Sequence, residues 1–260
     1  MAEQLVITRT EDGVATVIIN NPPANTLTMA VMTELEAAID ALIADAAVKT
    51  AVITGAGNMF VAGADIREVA SLDSAARGRA VTLKGQAIFA KIEQSPKPVI
   101  AAVNGLFCLG GGLELAMACH MRVASERVRM GLPEIDLGIM PGFGGTQRLP
   151  RIVGPSKAAE LILTGDKITG VEAKAIGLVN KAVPEAEVLK QAQGLARKIA
   201  SKGQVAVRAA MTAIGHGLMA PLASGLEKEA ELFGSLCETA DMKEGVKAFL
   251  EKRHPKWIDK

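Results

Sequence analysis

Glycine placement constrains this chain more than any other feature of its sequence. Of its 26 glycines, sixteen gather at 55–63, 105–112, 131–154 and 165–177, each time between apolar segments. Glycine belongs where the backbone turns left-handed or approaches another group closely. The chain is therefore punctuated into short strands and helices joined by tight turns. Gln4–Arg9 and Val14–Asn20 predict two strands around a Glu11-Asp12-Gly13 turn. From Met29 to Asp45, the residues Met32, Leu35, Ile39, Leu42 and Ile43 fall on one helical stripe behind a Thr28 cap. Thr50–Thr54 predicts a buried strand, 77–94 a helix, Pro98–Val103 another strand and Leu113–His120 another helix. This alternation predicts an α/β fold with mostly parallel pairing. Beyond Ala182 the strand signals fade, and 185–201, 205–215, 221–236 and 241–253 all read as helices. The expected organisation is an α/β core over 1–195 followed by an all-helical part over 196–260.

Composition narrows the function classes. With 260 residues, 49% of them hydrophobic, the chain can bury one large core. A net charge of +1 gives no basic surface for nucleic acid and no acidic tail. Only 3% of residues are aromatic, which argues against base-stacking platforms. Cys108, Cys119 and Cys237 form no CxxC pair and no even disulfide framework, so buried free thiols in a reducing compartment are expected. No basic-then-apolar leader is visible and no apolar run approaches the roughly 20 residues of a membrane span. A cytoplasmic globular protein is the expectation, with no nucleic-acid or membrane partner.

Familiar site motifs are missing: no HExxH, no GxxxxGK[ST] and no GxSxG. The histidines, His120, His216 and His254, are never spaced as metal ligands. Gly55-Ala56-Gly57 opens like a dinucleotide fingerprint but lacks the third glycine and a following helix. Three segments carry the chemistry that remains. Phe60–Arg67 is a turn of small residues after a buried strand, able to leave main-chain N–H groups facing a cleft. In Asn104–Glu114, three glycines precede a helix, where free N–H groups and the positive end of the dipole favour negative charge. Paired donors of that kind suit an oxyanion hole, although the same glycines would also permit close strand–helix packing. In the third segment, Glu134 lies in an apolar, proline-kinked stretch before a Gly142-Phe143-Gly144-Gly145 turn; Glu114 is likewise flanked by Leu113 and Leu115. Carboxylates on apolar segments are costly to bury unless paired or functional. Two of them together would repel, raise one pKa and hold a proton and a water between them.

Four stretches, 53–68 (ITGAGNMFVAGADIRE), 98–120 (PVIAAVNGLFCLGGGLELAMACH), 132–154 (LPEIDLGIMPGFGGTQRLPRIVG) and 163–183 (LTGDKITGVEAKAIGLVNKAV), with the ending EGVKAFLEKRHPKW at 244–257, resemble the crotonase superfamily of enoyl-CoA hydratases and isomerases over nearly the whole chain. The resemblance implies a spiral of stacked ββα units with a C-terminal all-helical trimerisation region. It implies a homotrimer or homohexamer, built as a dimer of trimers. It implies an oxyanion hole from the Ala64 and Gly111 N–H groups, and Glu114 and Glu134 as the catalytic acids. Ala62, Gly63, Asp65, Ile66 and Arg67 would embrace CoA, Gly142 would help hold water or substrate, and Phe233, Phe249 and Lys252 would complete a CoA site, sometimes in a neighbouring subunit. The implied reaction is hydration of a trans-2-enoyl-CoA without metal or redox cofactor, CoA being part of the substrate. A Δ3,Δ2-enoyl-CoA isomerase typically needs one acid, so two glutamates favour the hydratase. A noncatalytic acyl-CoA or RNA scaffold would have lost a glutamate or gained basic surface. Asp136 reads as solvent-facing.

Overall fold

The computed structural model describes residues 4–260. Two strands, β1 (Val6–Glu11) and β2 (Val14–Ile19), form an antiparallel hairpin. The chain crosses back through α1 (Met29–Ala44), capped by the Thr28 side chain on the Val31 N–H, into β3 (Thr50–Gly55). Then follow α2 (Ile66–Ala70), α3 (Ala75–Glu93), β4 (Val99–Val103), β5 (Phe107–Leu109) and α4 (Gly111–Ala118). Next come β6 (Met121–Ser125), β7 (Arg129–Gly131), a 3-10 turn over Pro133–Leu137, α5 (Gly145–Val153) and α6 (Pro155–Thr164). The chain continues with β8 (Lys167–Thr169), α7 (Gly170–Ala175), β9 (Lys181–Val183), α8 (Val188–Ala200), α9 (Gln204–Gly217), α10 (Leu222–Leu236) and α11 (Ala240–Leu250).

The main sheet has the order β1-β2-β3-β4-β6-β9, and a smaller one has the order β5-β7-β8. Of the seven strand pairings among the described residues, only β1–β2 and β7–β8 are antiparallel, so the expected parallel character holds. Each coil of the chain lays one strand in the main sheet and the next in a second layer. After β3, Val61 bridges Cys108 of β5, which in turn pairs with Met130 of β7. This layering is the spiral of ββα units.

Sequence patterning explains why the middle of the main sheet is buried on both faces. Strand β4 is apolar at every position and β3 at its centre, and both are wholly buried, as parallel strands covered on both sides must be. Ala51, Ile53, Val99, Ala101 and Val103 face the larger core under α1, α3 and α4. Val52, Ile100, Ala102 and Val123 face Val188, Ala192, Ala196 and Ala200 of α8. The alanines recur every four residues, so α8 presents one smooth stripe to the strands.

Several expectations need correction. The segment 145–175 is helical in three pieces and β5 to β9 exist, where the sequence reading assigns no helix or strand. The helix expected from Leu113 begins at Gly111. The expected boundary at residue 195 falls inside α8, which packs across β2, β3, β4 and β6. Cys108 and Cys119 are buried, but Cys237 is exposed, so the expectation of buried thiols fails there. No described helix is long and apolar enough to cross a membrane.

Candidate active site

Three successive coils each contribute one turn to the same place. The turn after β3 carries Ala64, the turn after β5 carries Gly110 and Gly111, and the turn after β7 carries Glu134. The first is fixed by main-chain bonds on both sides of Ala64: the Leu27 N–H donates to the Gly63 carbonyl at 2.9 Å, and the Asp65 N–H donates to the Leu27 carbonyl at 3.3 Å. Asn25 and Asn104 hold the start of this loop by donating to the carbonyls of Ala56, Met59, Gly55 and Gly57. Gly110 has φ 51°, in the left-handed region, where a side chain would be strained. That turn opens α4 with no side-chain cap, so its first N–H groups have no intrahelical partner. Among the described residues, neither the Ala64 nor the Gly111 N–H donates a hydrogen bond. The two sites adjoin: a Cβ built on Gly111 would stand 3.7 Å from the Ala64 nitrogen.

Glu114 sits in the first turn of α4 and is 1% exposed. Its Oε1 accepts from the Phe143 N–H at 2.8 Å and from the Gly145 N–H at 2.7 Å. Gly145 begins α5, so the carboxylate also meets the positive end of that helix. Burial nevertheless wins and pushes the Glu114 carboxyl up to about 7, with nearby Glu134 adding to the rise; the two N–H groups and Arg148 pull the other way. Glu134 is raised as well, chiefly by burial. Mutual repulsion is therefore not the leading cause of either shift, contrary to expectation. The Oε2 of Glu134 is buried without a hydrogen-bond partner. Its Oε1 lies 3.0 Å from where a Cβ on Gly110 would stand, which sets it against the same glycine turn.

The structure thus gathers Glu114, Glu134, Ala64 and Gly111. Ala62 and Gly63 lie in the same turn, with the Ala62 N–H donating to Ala24. Asp65 caps α2 by accepting from the Arg67 N–H, while Ile66 and Arg67 are exposed. The Gly142 carbonyl is occupied by the Gln86 side chain. Phe233 and Phe249 are 68% and 83% exposed, and Lys252 is exposed just after α11. The elements packed most heavily on α4 are α3, α5, β5 and β6; α10 and α11, which carry Phe233 and Phe249, are not among them. His120 plays a structural part, because its Nδ1 accepts from the Val99 N–H. Asp136 is exposed, as expected. The Phe143 and Gly145 donors to Glu114, and Arg148 behind them, escape the sequence reading. The only signal for them is the glycine turn itself.

Two carboxyls with raised pKa values beside two unengaged main-chain donors are an arrangement suited to general acid–base chemistry next to a carbonyl. Known proteins of similar sequence and structure agree. The model of the enoyl-CoA hydratase/isomerase family matches residues 9–260. Crotonyl-CoA hydratase of Syntrophomonas wolfei is 47% identical over 262 residues, 100% of both chains. Short-chain-enoyl-CoA hydratase of Clostridium acetobutylicum is 45% identical over 95% of both. The crystal structure of enoyl-CoA hydratase from Bacillus anthracis superposes with a TM-score of 0.94 at 39% identity, over 99% of this chain and 100% of that one. The chain belongs to the enoyl-CoA hydratase/isomerase family, with the crotonase fold.

Proposed function

We propose that this protein is an enoyl-CoA hydratase of fatty acid β-oxidation, adding water across the C2–C3 double bond of a trans-2-enoyl-CoA to give a 3-hydroxyacyl-CoA. The observation that carries the reading is the convergence of Glu114 and Glu134 on the turn that presents Gly111. The thioester oxygen accepts hydrogen bonds from the Ala64 and Gly111 N–H groups, and these donors hold the enolate-like charge as it develops. Each is worth on the order of 3 kcal/mol in the transition state. Glu114, whose ionised form the Phe143 and Gly145 N–H groups favour against burial, takes a proton from water as the oxygen bonds to C3. Glu134, whose burial favours its protonated form, gives a proton to C2. One water is consumed, and passage of the proton from Glu114 back to Glu134 resets the pair. This chemistry calls on no metal or redox cofactor, because main-chain donors carry the charge.

Ala62 to Arg67 and Gly142 line the approach for CoA and the reacting groups in this reading. Exposure of Phe233, Phe249 and Lys252 supports their completing a neighbouring subunit's CoA site in a homotrimer or a dimer of trimers. Apolar side chains left bare on α9, at its end and on α10, among them Ile214, Leu218, Leu226 and Phe233, support the same assembly. In this reading the enzyme is cytoplasmic with neither a nucleic-acid nor a membrane partner, which the near-neutral charge supports.

Hydration of crotonyl-CoA, followed by loss of the enoyl-thioester absorbance, tests the reaction. Glu114→Gln and Glu134→Gln are each expected to lower kcat by about 100-fold to 10,000-fold with CoA binding intact. Near-normal hydration by both variants would remove the two-acid mechanism. Fast isomerisation of 3-enoyl-CoA by the unaltered protein, abolished by Glu134→Gln alone, would make it an isomerase instead.

A further inference from the structure

The turn that clamps Glu114 is itself held from outside, by side chains to which the proposed chemistry gives no part. Arg148, on the first turns of α5, donates from Nη1 to the Phe143 carbonyl at 2.9 Å. The same guanidinium makes a two-pronged pair with Glu93 at the end of α3, Nε to Oε1 at 3.2 Å and Nη2 to Oε2 at 2.8 Å. Phe143 is therefore gripped on both sides, its carbonyl by Arg148 and its N–H by Glu114. Helix α3 supports the same turn twice more: Gln86 donates to the Gly142 carbonyl at 2.9 Å, and Gly85 leaves the space that the Phe143 ring fills. That ring meets Phe89 edge-on at 5.7 Å between centroids.

We infer that Arg148 is a positioning residue for Glu114: it ties the 142–145 turn to α3, so that the Phe143 and Gly145 N–H groups stay aimed at the carboxylate. A planar, forked guanidinium suits this role, since one side chain must span a carbonyl and a carboxylate at once. Its charge lies near enough to favour the ionised form of Glu114 directly. The other charged group facing Glu114 is Glu134, which acts in the opposite sense. Arg122 of β6 meets the far end of α4, on the Ala116 and Cys119 carbonyls, and Glu93 is spent on Arg148. The kinetic consequence rests on Glu114 being the base that activates water; the titration of its carboxyl does not.

The test compares Arg148→Gln, Arg148→Lys and Glu93→Gln in the full chain by two readouts. One is the titration of the Glu114 carboxyl, followed by NMR of isotope-labelled glutamate and assigned with Glu114→Gln. The other is the pH profile of kcat/KM for crotonyl-CoA. Arg148→Gln is expected to move the carboxyl titration upward by about half a pH unit or more. The acid limb of kcat/KM moves with it, a loss of about threefold on the acid side. Arg148→Lys, which keeps the charge but not the fork, gives a smaller shift in the same direction; Glu93→Gln frees the guanidinium and, because the half-exposed Glu93 charge it removes is screened by solvent, also gives a smaller upward shift. Glu93 is half exposed, so its variant keeps the question open to measurement even if Arg148→Gln does not fold. An unchanged titration in the variants that fold overturns the inference. A titration that moves while the acid limb stays fixed upholds Arg148 as a positioning residue and overturns Glu114 as the water-activating base.

Discussion

A carboxyl group buried to 1% exposure resists ionisation, and Glu114 keeps a charge near neutrality only because two N–H groups and one guanidinium oppose its burial. The opposition is incomplete, which has a consequence for stability. A carboxyl whose folded pKa is about 7, against 4.5 for an ordinary glutamate, favours folding fully below pH 4.5 and loses that advantage as pH rises through 7. Glu114→Gln, which keeps an acceptor for both N–H groups, is therefore expected to be more stable than the parent above pH 7, by about 2–3 kcal/mol, and equal to it in mild acid. Urea unfolding at pH 5 and pH 8 checks this, and equal stability at both would contradict the reading. At this scale the two glutamates were legible because each stands among apolar neighbours, where a charge demands a reason. Their partners were not. Main-chain N–H groups have no residue identity, and nothing about Arg148 in the sequence marks it as reaching back to Phe143 rather than into solvent.

Elements show the same division. Long periodic segments such as α1 and the strands β3 and β4 were legible to within a residue or two, since few other structures produce such a stripe or such an unbroken apolar run. Three-residue strands such as β5, β7 and β8 were not, because a period of two cannot show itself in three positions. Helix α5 was hidden by the glycine pair that begins it and by Pro150 within it. The close seating of α4 on its neighbour makes a test at this scale. A methyl group on Gly112 would collide with the Val61 carbonyl and side chain, whereas one on Gly234 in α10 meets nothing within 4 Å. Gly112→Ala is expected to cost about 1–3 kcal/mol and to reduce hydration, because it shifts the helix that bears Gly111 and Glu114. Gly234→Ala should leave stability unchanged or raise it by up to about 1 kcal/mol. Thermal melts of the two variants distinguish a helix seated at its glycine from one with open space there.

For the whole molecule, the C-terminal helices stand apart from the spiral: the packing of α10 is chiefly with α9, and both leave large apolar side chains bare. Replacing Leu226 and Phe233 by Asp is expected to shift the sedimentation of the assembly to a smaller species and to weaken CoA binding together. A change in mass with undiminished CoA affinity would separate assembly from the completion of the site. Helix α8 has a different relation to the spiral. It seals one side of the main sheet, yet it begins only at Val188, long after the strand β3 that it covers has ended at Gly55. A chain leaving the ribosome therefore displays Val52, Ile100, Ala102 and Val123 to the cell until Ala200 has cleared the exit tunnel. Synthesis itself thus imposes an interval in which this apolar face lies uncovered and open to misassociation.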